Sequence, residues 1–182
     1  MLITALKKYV LLCMSLLIIS GCLPFLQRDS SVRSPVQVVN MQFPDGSSYF
    51  ILYDIPWYFP EDIFYYRSGS VRKLLVYDER EMDLIIKTDD PLDMIVNYYI
   101  EQTLKNQWIL DRSIPDNAAA NRTIILPLIY KEQTLETLTI PSTRGHIIAA
   151  MKNGIVIVCR IIKESTTPLC TILQQMRYDK KR

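Results

Sequence analysis

The sequence predicts an α+β domain in which a mostly antiparallel sheet carries two helices packed on it. Apolar runs of strand length precede and follow one long amphipathic pattern, and a second helical pattern comes near residue 170. The order strand-strand-strand-helix-strand-strand-strand-strand-helix, with short turns between neighbouring strands, is typical of antiparallel pairing. Asn153-Gly154 lies between two apolar, β-branched runs, and this is the strongest hairpin signal in the chain.

Strands are predicted where β-branched and aromatic runs end at turn residues. Residues 36–43 could form the first strand, and Asp45-Gly46 then provides a turn. The other predicted strands are residues 49–53, 72–77, 82–87, 123–130, 134–140, 147–151 and 155–162. Residues 155–159 are continuously apolar, which favours a central strand covered on both faces, or covered on one face by a helix.

The clearest predicted helix runs from residue 91 to about residue 107. Asp90 can cap it, Pro91 suits its first position, and Asp93 complements the helix dipole. Its apolar face is formed by Leu92, Ile95, Val96, Tyr99, Ile100 and Leu104, and Trp108 continues that face. The second predicted helix runs from residue 168 to about residue 178, with Thr166 or Thr167 as its cap. Its apolar face is formed by Leu169, Ile172, Leu173 and Met176.

The first 22 residues have the features of a secretory signal peptide in the usual order. Lys7 and Lys8 form a basic start, residues 9–19 are an apolar run, and Ser20-Gly21-Cys22 follows. Residues 19–22 resemble the lipobox of bacterial lipoproteins, with Cys22 as its invariant cysteine. The resemblance implies diacylglycerol transfer to the Cys22 thiol, cleavage after Gly21 and, in many bacteria, acylation of the new amino group.

The alternative is an uncleaved transmembrane anchor over residues 9–26, which approach the ~20 residues that a spanning helix needs. Ser20, Gly21 and Pro24 weaken its far end. Leu23 stands where an Asp would resemble an inner-membrane retention signal, so the analogy favours an outer-membrane lipoprotein that faces the periplasm. The expected organisation is a signal peptide over residues 1–21, a lipidated cysteine and linker over 22–40, and a single α+β domain over 41–182.

Residues 89–108 are similar to a pattern in small bacterial lipoproteins of unassigned role. That pattern has an Asp-Pro pair, an aromatic-Tyr pair, a Leu and a closing Gly-Trp. The matching residues are Asp90-Pro91, Val96, Tyr98-Tyr99, Leu104 and Trp108. Gln107 stands where the Gly would be. All of these residues are explained as helix cap and core, so the resemblance supports a fold and not an activity.

Charge and cysteine content exclude some classes of function. The chain has 21 Lys and Arg against 19 Asp and Glu, and the signal peptide would remove Lys7 and Lys8, which leaves a neutral protein. A neutral domain with mixed signs is not expected to bind nucleic acid. If Cys22 carries lipid, Cys159 and Cys170 are the only remaining pair, and we expect two buried free thiols rather than a disulfide.

No set of residues predicts catalysis, a metal or a cofactor. His146 is the only histidine, which excludes a two-histidine zinc motif. Ser70 and Lys73 have the serine-x-x-lysine spacing of penicillin-binding proteins, but they lie in a predicted strand where that motif needs a helix. Adjacent carboxylates such as Glu61 and Asp62 fall in predicted turns, where they are usually solvated.

The feature most suggestive of function is an aromatic cluster in residues 54–67, formed by Trp57, Tyr58, Phe59, Phe64, Tyr65 and Tyr66. It would either anchor a loop to the sheet edge or form a contact patch for a protein, glycan or acyl chain; membrane insertion is a third alternative.

The leading hypothesis is a membrane-anchored, non-catalytic accessory or interaction subunit with an envelope protein as partner. The alternatives are a carrier of a lipid or other apolar ligand and, third, an envelope hydrolase. A deep apolar cavity beneath the long helix would favour the carrier, and a filled core would favour the interaction subunit.

Overall fold

In the described part of the chain the fold is built on one antiparallel sheet of nine strands. A computed structural model describes residues 37–43, 46–57, 59–78, 81–130 and 132–178. The strands are β1 (Val38–Gln42), β2 (Ser48–Leu52), β3 (Ser70–Asp78), β4 (Glu81–Thr88), β5 (Ile109–Pro115), β6 (Arg122–Tyr130), β7 (Gln133–Lys152), β8 (Ile155–Glu164) and β9 (Cys170–Tyr178). Helix α1 (Leu92–Lys105) connects β4 to β5, and a short 3-10 turn (Asn117–Ala119) connects β5 to β6.

The strand order is β1-β2-β3-β4-β9-β8-β7-β5, and β6 also pairs with β7. Every pair is antiparallel, which confirms the predicted sheet type. Strand β7 has 20 residues and takes part in two regions. Its second half pairs with β8 and β5, whereas its first half pairs with β6 alone. The β6–β7 hairpin therefore extends beyond the rest of the sheet.

The two faces of the sheet are covered by different elements. On one face α1 buries Ile95 and Tyr99 completely in a core that also contains Leu84, Ile86 and Ile157. On the other face the β6–β7 hairpin packs back over the sheet. Its buried residues Leu126, Leu128, Tyr130 and Ile140 share a second core with strand residues Leu75, Tyr77, Ile85, Ile162 and Leu173. Helix α1 therefore covers the core on one face of the sheet, and the β6–β7 hairpin covers the core on the other face.

The predicted second helix is wrong, because residues 170–178 form strand β9 in the middle of the sheet. Strand β9 pairs with β4 on one side and with β8 on the other. Residues 170–174 are all buried, which the single apolar face of a surface helix cannot achieve. Thr167 does not cap a helix; its hydroxyl donates to the Glu164 carboxylate at 2.8 Å. Packing on both faces has overridden a local pattern that fits a helix equally well.

Helix α1 matches its prediction in position but differs in two details. Pro91 precedes its first residue and no side chain caps it. Asp90 instead accepts hydrogen bonds from the hydroxyls of Tyr66 at 2.7 Å and Thr88 at 2.9 Å. Leu104 is 65% exposed, and Thr103 takes the buried position. The Thr103 hydroxyl can be buried because it donates to the Tyr99 carbonyl at 2.8 Å.

The end of α1 explains why a glycine would suit position 107. Gln107 has a φ of 60°, in the left-handed region that glycine adopts without steric cost. The Trp108 N–H donates to the Thr103 carbonyl at 2.9 Å, and the Gln107 N–H donates to the Leu104 carbonyl at 3.1 Å. This pattern of bonds ends the helix and turns the chain into β5.

The remaining differences concern strand boundaries. The predicted strands 134–140 and 147–151 are parts of the single strand β7, and β5 was not predicted. The β7–β8 hairpin is confirmed: Asn153 and Gly154 have φ values of 52° and 79°, as a type I′ turn requires. Strand β8 is central and faces α1 on one side, as predicted.

The predicted signal peptide, Cys22 and the part of the predicted linker up to residue 36 lie outside the residues that the structure describes, and β1 begins at Val38. Among the described residues no helix combines the length and apolar character needed to cross a bilayer.

Candidate functional site

The predicted aromatic cluster divides between the core and the surface. Phe64 and Tyr66 are buried. The Phe64 ring meets Trp108 edge-on at 5.7 Å between centroids, and the Tyr66 ring meets Tyr98 edge-on at 5.0 Å. These two residues anchor residues 54–67 to the helix side of the core.

The other members of the cluster are less buried. The rings of Phe59 and Tyr65 are partly buried and lie edge-to-face at 5.6 Å. The Tyr65 backbone is held by the Tyr98 hydroxyl, which donates to the Tyr65 carbonyl at 2.7 Å. Trp57 is 87% exposed, and Tyr58 lies outside the described residues. The sequence therefore predicted one patch where the structure has two anchors, a half-buried pair and an exposed tryptophan.

An open cleft of about 430 Å³ lies between this segment and the sheet. We call it the apolar cleft; it is lined by Phe50, Pro56, Phe59, Pro60, Leu74, Val76, Tyr77, Asp78 and Met82. Its volume falls within the ~300–1,000 Å³ of small-ligand sites. Phe50, on strand β2, is 42% exposed although it faces the cleft. The apolar cleft therefore leaves apolar side chains exposed on a surface to which another molecule can bind.

The strand residues of the apolar cleft were missed by sequence reasoning. Phe50 and Val76 are directly opposite each other in the β2–β3 pairing. Each is typical of a strand, so nothing in its own pattern separates a cleft residue from a core residue. The available signal was the position of Phe50 in a short strand, followed closely by a proline-bounded loop, Pro56 to Pro60.

A smaller cavity of about 140 Å³ lies under the β6–β7 hairpin and contains the buried carboxylate of Glu164. The hydroxyls of Thr171 and Thr167 donate to this carboxylate at 2.6 and 2.8 Å, and Lys87 Nζ lies 3.0 Å away. Burial raises the pKa of Glu164, but the hydrogen bonds and the Lys87 charge outweigh it and hold the pKa below its usual range. Glu164 is thus fully partnered, and its role is structural.

We expect Glu164 to make the stability of the domain fall in acid. Because its folded pKa is lowered, its contribution is present above the unfolded value of about 4.3 and is lost as pH falls through the folded value. Glu164→Gln should therefore lower the melting temperature at neutral pH, and the gap to the wild type should close below about pH 4. A gap that stays constant from pH 7 to pH 3 would contradict this assignment.

Ser113 and His146 form the only pair that resembles catalytic machinery among the described residues. Ser113 Oγ and His146 Nε2 are 2.9 Å apart on neighbouring strands. Desolvation lowers the pKa of His146, and the Arg144 charge lowers it further, while Asp93 opposes the shift. A nucleophilic serine also needs a group that orients the histidine. No carboxylate in the described part of the chain hydrogen-bonds to His146, so the pair is a cross-strand hydrogen bond.

Other candidate chemistry does not assemble. Ser70 and Lys73 lie on strand β3, and Lys73 pairs with Glu136 of the β6–β7 hairpin. The described residues contain no group of three or more His, Cys, Asp or Glu side chains placed to hold a metal ion.

Cys159 and Cys170 are both buried and both free, as predicted. Cys159 lies opposite Gln174 and Cys170 opposite Lys163, so the two thiols are several residues apart along the β8–β9 pairing. Burial raises the pKa of each thiol, which removes the reactive thiolate at neutral pH.

We expect both cysteines to react with a maleimide only when the domain unfolds. Peptide mass analysis without reductant should find Cys159 and Cys170 unmodified in the native protein and both labelled in denaturant. A mass two hydrogens lighter for this pair, or labelling of either residue in the native protein within minutes, would contradict the structure.

The sequence matches no protein-family model and no curated protein. The proposal for function therefore depends on the apolar cleft and on the N-terminal sequence.

Proposed function

We propose that this chain is a lipid-anchored envelope lipoprotein whose domain is a non-catalytic interaction subunit. In this proposal the apolar cleft binds an apolar segment of an envelope protein on the periplasmic side. The single observation that carries the binding function is the open apolar cleft. Trp57, which follows the lining residue Pro56 in the chain, is 87% exposed. The anchor is supported by the resemblance of residues 19–22 to a lipobox.

The shape of the apolar cleft favours a protein segment as ligand. It is open on one side rather than enclosed, so a ligand would remain partly in contact with solvent. Tryptophan is enriched among the few residues that contribute most of the binding energy at protein interfaces, because its side chain buries a large area at low entropic cost. Trp57 follows Pro56, which is buried, and the Phe59 N–H donates to the Pro56 carbonyl at 3.0 Å, so Trp57 lies within a hydrogen-bonded turn.

The core beneath α1 is the place where a carrier would hold its ligand. There Ile95 and Tyr99 have no exposed surface, and Trp108 packs against Phe64. These buried and packed side chains support the interaction hypothesis over the carrier. The carrier remains a second candidate because the apolar cleft is lined mostly by carbon and has the volume of a small-ligand site.

Site-specific photo-crosslinking tests the proposal. The full chain, expressed in its own membrane, would carry benzoylphenylalanine in place of Phe50, which lies in the apolar cleft. The matched control carries it in place of Ile125, an exposed residue on the solvent side of β6. We expect a defined protein adduct from position 50 alone, and we expect Trp57→Ala to remove it.

Three outcomes would contradict the interaction function. They are equal adducts from both positions, an adduct that survives Trp57→Ala, and an adduct composed only of second copies of this chain. A carrier would instead give a lipid adduct at position 50 and would bind a fluorescent fatty acid with one-to-one stoichiometry. Each candidate thus predicts a different mass for the adduct.

The anchor has its own test, the change Cys22→Ser. We expect the variant to accumulate as an uncleaved or unlipidated form that no longer partitions into detergent like the wild type, because the thiol is the acceptor of the lipid. Two or more acyl chains hold a protein durably in a bilayer, whereas one holds it only marginally. Normal processing after Gly21, with retention in salt-washed membranes, would show that lipidation is the wrong account.

A further inference from the structure

In the described sheet three strands have one edge unpaired along their whole length, and they differ in how that edge is protected; the first half of β7, which carries Glu136, is also unpaired on one side. Strand β5 lies at one end of the strand order, β1 lies at the other, and β6 pairs only with β7. An exposed edge offers unpaired N–H and C=O groups to any other strand, and proteins usually block it with charge, proline or a bulge.

Strands β5 and β6 carry these protections. Strand β5 contains Asp111, Arg112 and a final Pro115, and its pairing with β7 is shifted between Leu110 and Arg112. Strand β6 has Pro127 in its middle, and its pairing shifts after Leu128. A bulge or a proline interrupts the regular row of donors and acceptors that a new strand would need.

Strand β1 carries none of them. Its sequence, Val-Val-Asn-Met-Gln, has no charge and no proline, and its pairing with β2 has no shift. The nearest charged residues in the sequence are Arg33 and Asp45. Val38 and Met41 are exposed apolar side chains, one on each face of the sheet. This is an edge suited to pairing.

The hydrogen bonds of β1 define which groups are available. The Phe43 N–H donates to the Ser47 carbonyl at 2.7 Å, so Phe43 points toward β2. Because backbone groups alternate in direction along a strand, those of Val39 and Met41 also point toward β2. Those of Val38, Asn40 and Gln42 point outward, away from the sheet.

We propose that β1 pairs antiparallel with β1 of a second copy, with the two-fold axis at Asn40. In this register Asn40 lies opposite Asn40 of the second copy, and Val38 lies opposite Gln42. All three outward-pointing residues then find a partner in both copies. Val39 of each copy lies beside Met41 of the other on the hairpin side of the sheet, which covers two apolar side chains.

A second copy fits this edge better than a charged partner does, because β1 has no charge with which to select one. The pairing is also closed: it uses the same edge of both molecules, so it stops at a dimer. Pro35 and Pro44 flank β1 in the sequence and limit the pairing to its length.

The contact is small, so two copies tethered to one membrane would pair more readily than two free ones. The pairing itself does not depend on the proposed partner of the apolar cleft.

Cysteine cross-linking of the full chain in mild detergent tests the register. Opposite residues in such a pair have Cα atoms ~5.5 Å apart, within the range of a disulfide. Asn40→Cys should therefore form a disulfide-linked dimer on mild oxidation, above the background of the unsubstituted chain. Gln42→Cys alone should not, because four residues of strand place its two copies ~14 Å apart. A mixture of Val38→Cys and Gln42→Cys chains should link as a heterodimer.

A charge variant provides the independent measurement. Asn40→Lys places two like charges at the two-fold axis and should weaken the dimer by more than about tenfold in analytical ultracentrifugation. Thr123→Lys, an exposed change on β6, is the matched control and should leave the dimer intact. A monomer at every concentration, equal linkage at positions 40 and 42, or a dimer that survives Asn40→Lys would overturn the proposal.

Discussion

Replacing Asp83 by Ala is expected to lower the free energy of unfolding by about 3–5 kcal/mol, because it breaks a buried charge pair and leaves its partners behind. The Asp83 side chain has no exposed surface and lies 2.7 Å from Arg177 Nη2. It also accepts the Tyr77 hydroxyl at 2.7 Å and the Gln175 amide at 3.3 Å. Burial and the Asp83 charge raise the pKa of Tyr77 well above its usual range, so its hydroxyl remains a donor.

The matched control for Asp83→Ala is Asp93→Ala. Asp93 pairs with Arg144 at 3.1 Å, but both side chains are mostly exposed, and such pairs contribute about 0–1 kcal/mol. Urea unfolding monitored by circular dichroism measures both free energies. Losses of equal size would show that the Asp83 cluster is hydrated in solution and does not hold β4 to β9.

The two tryptophans should respond in opposite ways to truncation. Trp108 is 4% exposed and packs on Phe64, so Trp108→Ala should cost about 3–5 kcal/mol. Trp57→Ala should change the free energy of unfolding by less than about 0.5 kcal/mol, since its side chain lies at the surface. The double change of Trp57 and Tyr58 to Ala should likewise spare much of the fold while it removes binding.

Thermal melts and the photo-crosslinking yield together distinguish the two roles. Trp57→Ala should retain its melting temperature and lose the adduct from position 50. Trp108→Ala should lose stability, and any loss of adduct should follow the unfolded fraction. If Trp57→Ala destabilises the domain as much as Trp108→Ala, the exposed tryptophan is part of the core and the contact site is elsewhere.

Local signals were sufficient for α1 and for most of the strands, but not for β5 or β9. The turn at Asn153-Gly154 has the backbone angles that its residues favour, and the i, i+3, i+4 pattern of α1 places Ile95 and Tyr99 in the core. These signals were insufficient where the same apolar residues fit both the periodicity of a helix and that of a strand. Leu169, Ile172 and Met176 fit a helical face, whereas Cys170, Ile172 and Met176 fit one face of a strand. Only the positions of β4 and β8 on either side decide between the two.

The candidate site was predictable only in part for a related reason. The sequence indicated residues 54–67 but could not divide them, because burial of Phe64 and Tyr66 depends on Tyr98 and Trp108, which are distant in the chain. The apolar cleft depends on Phe50 and Val76 being directly opposite in two strands that a loop separates. Such placements follow from the sheet register and not from local composition.

The central position of β9 also dictates the order in which the domain can be completed. Before β9 is available, strands β1–β4 and β5–β8 are two half-sheets with no strand pairing between them, joined in sequence by α1. Both half-sheets then expose a hydrophobic edge, at β4 and at β8. Strand pairing between the two half-sheets therefore requires residues 170–178. The continuous sheet is completed only when this last strand is placed between β4 and β8.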